Sequence, residues 1–150
     1  MKANEKQVGG LHYKTEYEHW DLVICIPMNY LEGCATKYVA RARKKDGVQD
    51  LHKAMHYLEK LIEIADHNHQ TRNLTRPEIH AEVNRFALAN NLTLLEEEFV
   101  VVLCTHEHGV DLHHARCLLE EIITEAEIEA KKNMEINFPG TPEDGGHHAI

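Results

Sequence analysis

The chain has 150 residues, of which 43% are hydrophobic and 27% charged, with a formal net charge of -9. That length and composition describe an ordinary globular protein with enough chain to bury a core. No apolar run approaches the ~18 residues that cross a bilayer, and the acidic balance argues against a nucleic-acid duplex as partner. The charge is uneven. Residues 1–72 hold 11 Lys/Arg against 10 Asp/Glu, whereas residues 73–150 hold 5 against 15. The start of the chain, Met1 to Gln7, has no apolar segment of the secretory kind. Cys25, Cys34, Cys104 and Cys117 form no C-x-x-C pair, and the expectation is buried, reduced thiols in a cytoplasmic protein.

The periodicity is helical almost throughout. Thr15-Glu16-Tyr17-Glu18 has the pattern of a capping box and predicts a first helix ending near Pro27. A second helix is predicted from about Tyr30 to Lys45, and Asp46-Gly47 is a turn signal. Along that helix Lys37, Arg41, Lys44 and Lys45 fall at i, i+4, i+7 and i+8, a basic stripe on one face. Ala35, Tyr38, Val39 and Ala42 point the other way. Bunched cations in an acidic chain point to a compact anion such as a phosphate. The competing reading is a solvated face paired with acids elsewhere.

A third helix carries Leu51, Ala54, Met55, Leu58, Leu61, Ile62 and Ala65 on one side, the strongest amphipathic pattern in the chain. Asp66 to Asn73 reads as a connection. Thr75-Arg76-Pro77-Glu78 combines a capping box with an early proline and opens a fourth helix through Ile79, Val83, Phe86 and Ala87. Asn90-Asn91 breaks it. Thr93-Leu94-Leu95-Glu96 opens a fifth; Val100-Val101-Val102 would also suit a short buried strand, but the cap and the flanking glutamates favour helix. Gly109 is read as a stop and Asp111 as the cap of a long last helix through Leu112, Ala115, Leu118, Leu119, Ile122 and Ala126. From Ile136 onward, proline, glycine and acids predict a loose tail. The expected architecture is all-α with about six helices: a three-helix module over 1–72, an acidic helical extension over 73–135, and a tail over 136–150.

Residues 10–63 carry a recognisable order of motifs. These are His12-Tyr13, Asp21, Gly33, Lys37-Tyr38, Arg41, Lys44-Lys45-Asp46-Gly47, and Asp50-Leu51-His52-Lys53-Ala54-Met55-His56-Tyr57-Leu58. In order and spacing they resemble the SaV-like family of small bacteriophage proteins, a domain of unknown function often labelled nucleotide kinase. The resemblance implies a phage origin and a role inside the host cytoplasm. One departure is Cys34, where the family has asparagine after the glycine. A kinase of the P-loop type needs G-x-x-x-x-G-K-[ST], and Gly9-Gly10-Leu11-His12-Tyr13-Lys14 has neither the spacing nor the hydroxyl.

The candidate ligand-binding residues are His12, Tyr13, Trp20, Asp21, Lys37, Tyr38, Arg41, Lys44 and Lys45. Their rings can stack on a base, their cations can hold phosphate, and Asp21 can accept ribose or base protons. Core packing is the rival role for Trp20, Tyr38 and Tyr57. Thirteen histidines include the i, i+4 pair His52 and His56, the pair His67 and His69, His106-Glu107-His108, and His113-His114, but none forms H-E-x-x-H. No metal and no cofactor is therefore expected. Glu121, Glu125 and Glu129 repeat at i, i+4 opposite an apolar face, which reads as solvated surface rather than a magnesium site.

The function expected from these features is binding of a small phosphorylated ligand, a nucleotide above all, without catalysis. In a phage the target would be a host defence signal. The alternatives are a nucleotide-metabolising enzyme, either pyrophosphohydrolase or kinase-like, and a module that docks on a host protein. A homo-oligomer is expected, since three short helices need a neighbour to enclose a ligand. Arg41→Ala is expected to abolish binding and leave the fold intact.

Overall fold

The computed structural model describes residues 2–6, 8, 15–45, 47–67 and 72–138. Among them are six α-helices and no strand: α1 (His19–Cys25), α2 (Tyr30–Arg41), α3 (Val48–Glu63), α4 (Arg76–Asn90), α5 (Leu94–Thr105) and α6 (Gly109–Asn137). The fold is all-α, as the periodicity predicts. No helix is long and apolar enough to cross a membrane among the described residues.

Most helix starts follow reciprocal caps. The Asn29 side chain accepts the Glu32 N–H at 2.8 Å while the Glu32 carboxylate accepts the Asn29 N–H at 3.1 Å. Thr75 with Glu78, and Thr93 with Glu96, do the same for α4 and α5. Each box satisfies two backbone donors that the first helical turn leaves without intrahelical partners. Asn91 ends α4 in the left-handed conformation, φ 55°, which asparagine tolerates better than most residues.

Several boundaries differ from the sequence expectation, each for a local reason. Thr15 does not cap the first helix: its hydroxyl donates to the Tyr17 carbonyl within its own turn. The cap moves to Glu18, whose N–H is taken by Asp21 at 3.1 Å. The second helix stops at Arg41 and tightens into a 3-10 turn over Ala42–Lys44, because Lys45 and Gly47 both donate to the Ala42 carbonyl. Lys44 and Lys45 therefore leave the α-helical spacing. Val100 to Val102 are helical. Gly109 is the first residue of α6 rather than a stop, and Asp111 sits one turn in, accepting from the His108 and Glu107 N–H groups. The last helix continues to Asn137, beyond the expected start of the tail, and residues 139–150 lie outside the described residues.

One buried cluster runs through both halves of the chain. Leu22, Val39, Leu51, Leu58 and Leu61 from the first 72 residues pack with Val83, Phe86, Phe99, Leu103, Leu112 and Leu119 from the rest. Helix α3 lies against α2 and α6, α5 against α6 and α4, and α4 against α1. Of the cysteines only Cys104 is buried; Cys25 and Cys117 are exposed on outward helix faces and Cys34 is intermediate, which corrects the expectation of four buried thiols.

Four acids are buried within this frame: Glu18 at the start of α1, and three that each meet an arginine. Glu32 and Asp50 are fully buried and Glu96 nearly so. Isolated buried carboxylates are costly, so each must be paired and hydrogen-bonded.

Candidate functional site

Helix α2 presents its basic residues where α1 and α4 converge on it. Lys37, Ala40 and Arg41 from α2, Lys44 from the 3-10 turn, His19 from α1, and Phe86 and Asn90 from α4 line a crevice of about 60 Å³. Three of the predicted binding residues, Lys37, Arg41 and Lys44, are thus brought to one place.

Burial lowers the His19 imidazole to about 4, with the Lys37 charge adding to the effect. Its ring packs edge-on against Phe86, centroids 6.0 Å apart. The His19 Nε2 lies 2.8 Å from the Thr36 hydroxyl, which itself lies 2.9 Å from the Glu32 carbonyl. The hydrogen bond shared by the imidazole and the hydroxyl anchors the ring of α1 to α2. Asn90 is held in place by donating to the Tyr17 and Phe86 carbonyls, both at 2.9 Å. His19, Phe86 and Asn90 are therefore a fixed, uncharged wall.

The cations divide into two kinds. Arg41 grips Asp50 with a two-pronged fork, Nε to Oδ2 at 2.9 Å and Nη2 to Oδ1 at 3.1 Å. Burial pushes the Asp50 carboxyl up, but the Arg41 hydrogen bond and charge, with Lys53, outweigh it and hold Asp50 below the usual carboxylate range. Arg43 grips buried Glu96 in the same way and also donates to the Asn91 carbonyl. Lys37 and Lys44 have no carboxylate partner among the described residues. Burial, with the Arg43 charge, lowers the Lys44 ammonium from its ordinary value. Two groups on this crevice thus register the positive charge of a neighbour.

A second, more open cleft of about 420 Å³ is lined by Tyr38, Gln49, His52, Lys53, His56 and Tyr57. Its aromatic faces are already engaged. Tyr38 stacks on Tyr57 with centroids 5.8 Å apart and 15° between planes, and Tyr30 meets Tyr57 edge-on at 5.9 Å. Arg41 lies 4.7 Å and Lys53 5.5 Å from the Tyr38 ring centre. The Tyr57 hydroxyl is pushed up to about 12, chiefly by its hydrogen bond with Tyr30. Tyr38 therefore couples α2 to α3 in this structure.

The other predicted residues lie apart from the crevice lining. Asp21 caps α1 and accepts from the Asn4 amide at 3.0 Å. Trp20 is half-exposed on α1, and Lys45 is exposed after the 3-10 turn. His12 and Tyr13 lie outside the described residues. The lining residues His19, Phe86 and Asn90 were not among the predicted set. His19 adjoins Trp20 in sequence, but only the packing of α4 on α1 brings Phe86 and Asn90 to the site.

The histidine clusters resolve into separate pairings. His106 Nε2 lies 2.7 Å from Glu32 Oε1, which also accepts from Arg72 at 2.9 Å. Arg72 further donates to the Leu103 carbonyl at 2.9 Å and to the Pro27 carbonyl. His52 lies 3.7 Å from Glu127 and His114 3.3 Å from Glu98, both exposed. No group of three or more His, Cys, Asp or Glu is arranged to hold a metal among the described residues.

Residues 11–59, about a third of the chain, match a family model described as a protein of unknown function, DUF3310. The match takes in the crevice residues of α1, α2 and the 3-10 turn and ends before α4. No curated protein and no solved structure matches the chain.

Proposed function

We propose that this protein binds a small phosphorylated ligand, with the phosphate held in the crevice between α1, α2 and α4. The observation that carries the reading is the pair Lys37 and Lys44, two ammonium groups without carboxylate partners on one crevice whose other charges are neutralised. Both line the same crevice, and an anion seated there accepts charge-assisted hydrogen bonds from them. Arg41 supports the site from behind, since Asp50 already occupies two of its donors. Nucleotides are the favoured ligand class, on the strength of the resemblance of residues 10–63 to SaV-like phage proteins. Sequestration of a host nucleotide signal would follow from such binding in a phage.

Mass spectrometry of the small molecules released by denaturing the purified protein tests the reading. The expected result is a phosphorylated compound, recovered intact after incubation with magnesium. Conversion of that compound during incubation would replace the binding role with the enzymatic one. A protein that carries no phosphorylated compound and binds none when offered nucleotides would contradict both.

A further inference from the structure

We propose that the crevice selects the dianionic terminal phosphate of a phosphomonoester over the monoanionic phosphate of a diester. The inference rests on the crevice reading above and narrows its ligand class.

Charge and size both point this way. Every element around the crevice contributes to its charge count. Helix α1 supplies His19, neutral well below pH 7. Helix α2 supplies Lys37, and Arg41 whose charge is matched by Asp50. The 3-10 turn supplies Lys44, beside Arg43 whose charge is matched by Glu96, and α4 supplies Phe86 and Asn90, neither of which titrates. The sum is two unmatched positive charges. A phosphomonoester carries about -1.5 to -2 at neutral pH because its second proton leaves near pH 6. A diester carries a single charge and covers two of its four oxygens with carbon. The crevice, about 60 Å³, is far below the roughly 300 Å³ and more of pockets that enclose a whole small molecule, so it suits the phosphate end of a ligand. A ring system must lie largely outside it. A terminal phosphate enters end-on with three bare oxygens for Lys37 and Lys44; an internal diester phosphate cannot present three.

Calorimetric titration with methyl phosphate, dimethyl phosphate and sulfate tests this, using the full chain at about pH 5 and about pH 7.5, either side of the second phosphate ionisation. The expected result is methyl phosphate binding roughly tenfold or more tighter than dimethyl phosphate at the higher pH, one charge-assisted hydrogen bond being worth at least that factor. Methyl phosphate should also tighten as pH rises. Sulfate, a dianion at both values, should not, so the gain belongs to the ligand's proton rather than the protein's. Equal affinity for the mono- and diester, or sulfate tightening in parallel with methyl phosphate, would overturn the selectivity while leaving the crevice as a phosphate site. Binding by neither phosphate nor sulfate, or binding unchanged in Lys37→Met and Lys44→Met, would overturn the crevice reading itself. Both lysines lie at the surface, so these variants fold.

Discussion

Residues of one charge in one helix do different work here, and the difference is measurable. Arg41 was expected to be dispensable for the fold. Instead, its fork neutralises the fully buried Asp50. Removing one member of a buried pair strands the other, at a cost of about 3 kcal/mol, reduced to the extent that Lys53 takes over. Arg41→Ala should therefore lower the urea midpoint substantially. Lys37→Ala, one turn away and exposed, should change stability by less than about 0.5 kcal/mol. Equal effects of the two changes would contradict this division. His19 supplies a pH signature. Its folded value of about 4 lies below the ordinary 6.5 of the unfolded chain. Between these the unfolded state binds the extra proton, so stability rises with pH through that window and falls as pH drops from about 6.5 to about 4. The full difference is worth about 3 kcal/mol. His19→Gln should flatten the stability profile over that range. Asp50, held low, acts in a separate window: its contribution is present above its unfolded value of about 3.9 and is lost as pH falls through its lower folded value. A His19→Gln profile as steep as the unaltered one would show that the imidazole is not the group responsible.

At the scale of elements, the junctions are built from the buried acids. Glu32 is at once the N3 member of the α2 capping box and the partner of Arg72 and His106, so it ties α2 to the segment before α4 and the segment after α5. Arg72 and His106 are each only 8% exposed, and neither can turn to water if the carboxylate goes. Glu32→Ala should cost about 3–5 kcal/mol, far more than the ~1 kcal/mol of an ordinary cap. Thr75→Ala, an exposed cap on α4, is the comparison and should cost about 1 kcal/mol by chemical denaturation. Similar losses in both would mean that the Glu32 cluster contributes little beyond capping. These contrasts also show what was legible beforehand. The caps Thr75–Glu78 and Thr93–Glu96 were readable because each box closes within four residues. Thr15–Glu18 misled because the Thr15 hydroxyl has a nearer acceptor in the Tyr17 carbonyl. The break after Arg41 was invisible to periodicity because it depends on Gly47 and Lys45 sharing the Ala42 carbonyl.

Across the whole molecule, helices α4 to α6 complete the core begun by α1 to α3 and provide one wall of the crevice. The apolar faces of α3 and α6 announced a helical core by their spacing alone. The basic run on α2 announced where cations would gather. Which cations already have partners was not readable, since Asp50 and Glu96 reach Arg41 and Arg43 only through tertiary packing. Phe86 and Asn90, far along the chain, could be assigned to the site only once α4 lay against α1. The proposed phosphate site stands or falls on Lys37 and Lys44 acting together. Calorimetric titration of inorganic phosphate into the unaltered protein and into the Lys37→Met/Lys44→Met double variant tests it most directly. The expected result is binding that weakens with added salt in the first and is lost in the second, with the unfolding midpoint unchanged. Equal phosphate affinity in both proteins would contradict it.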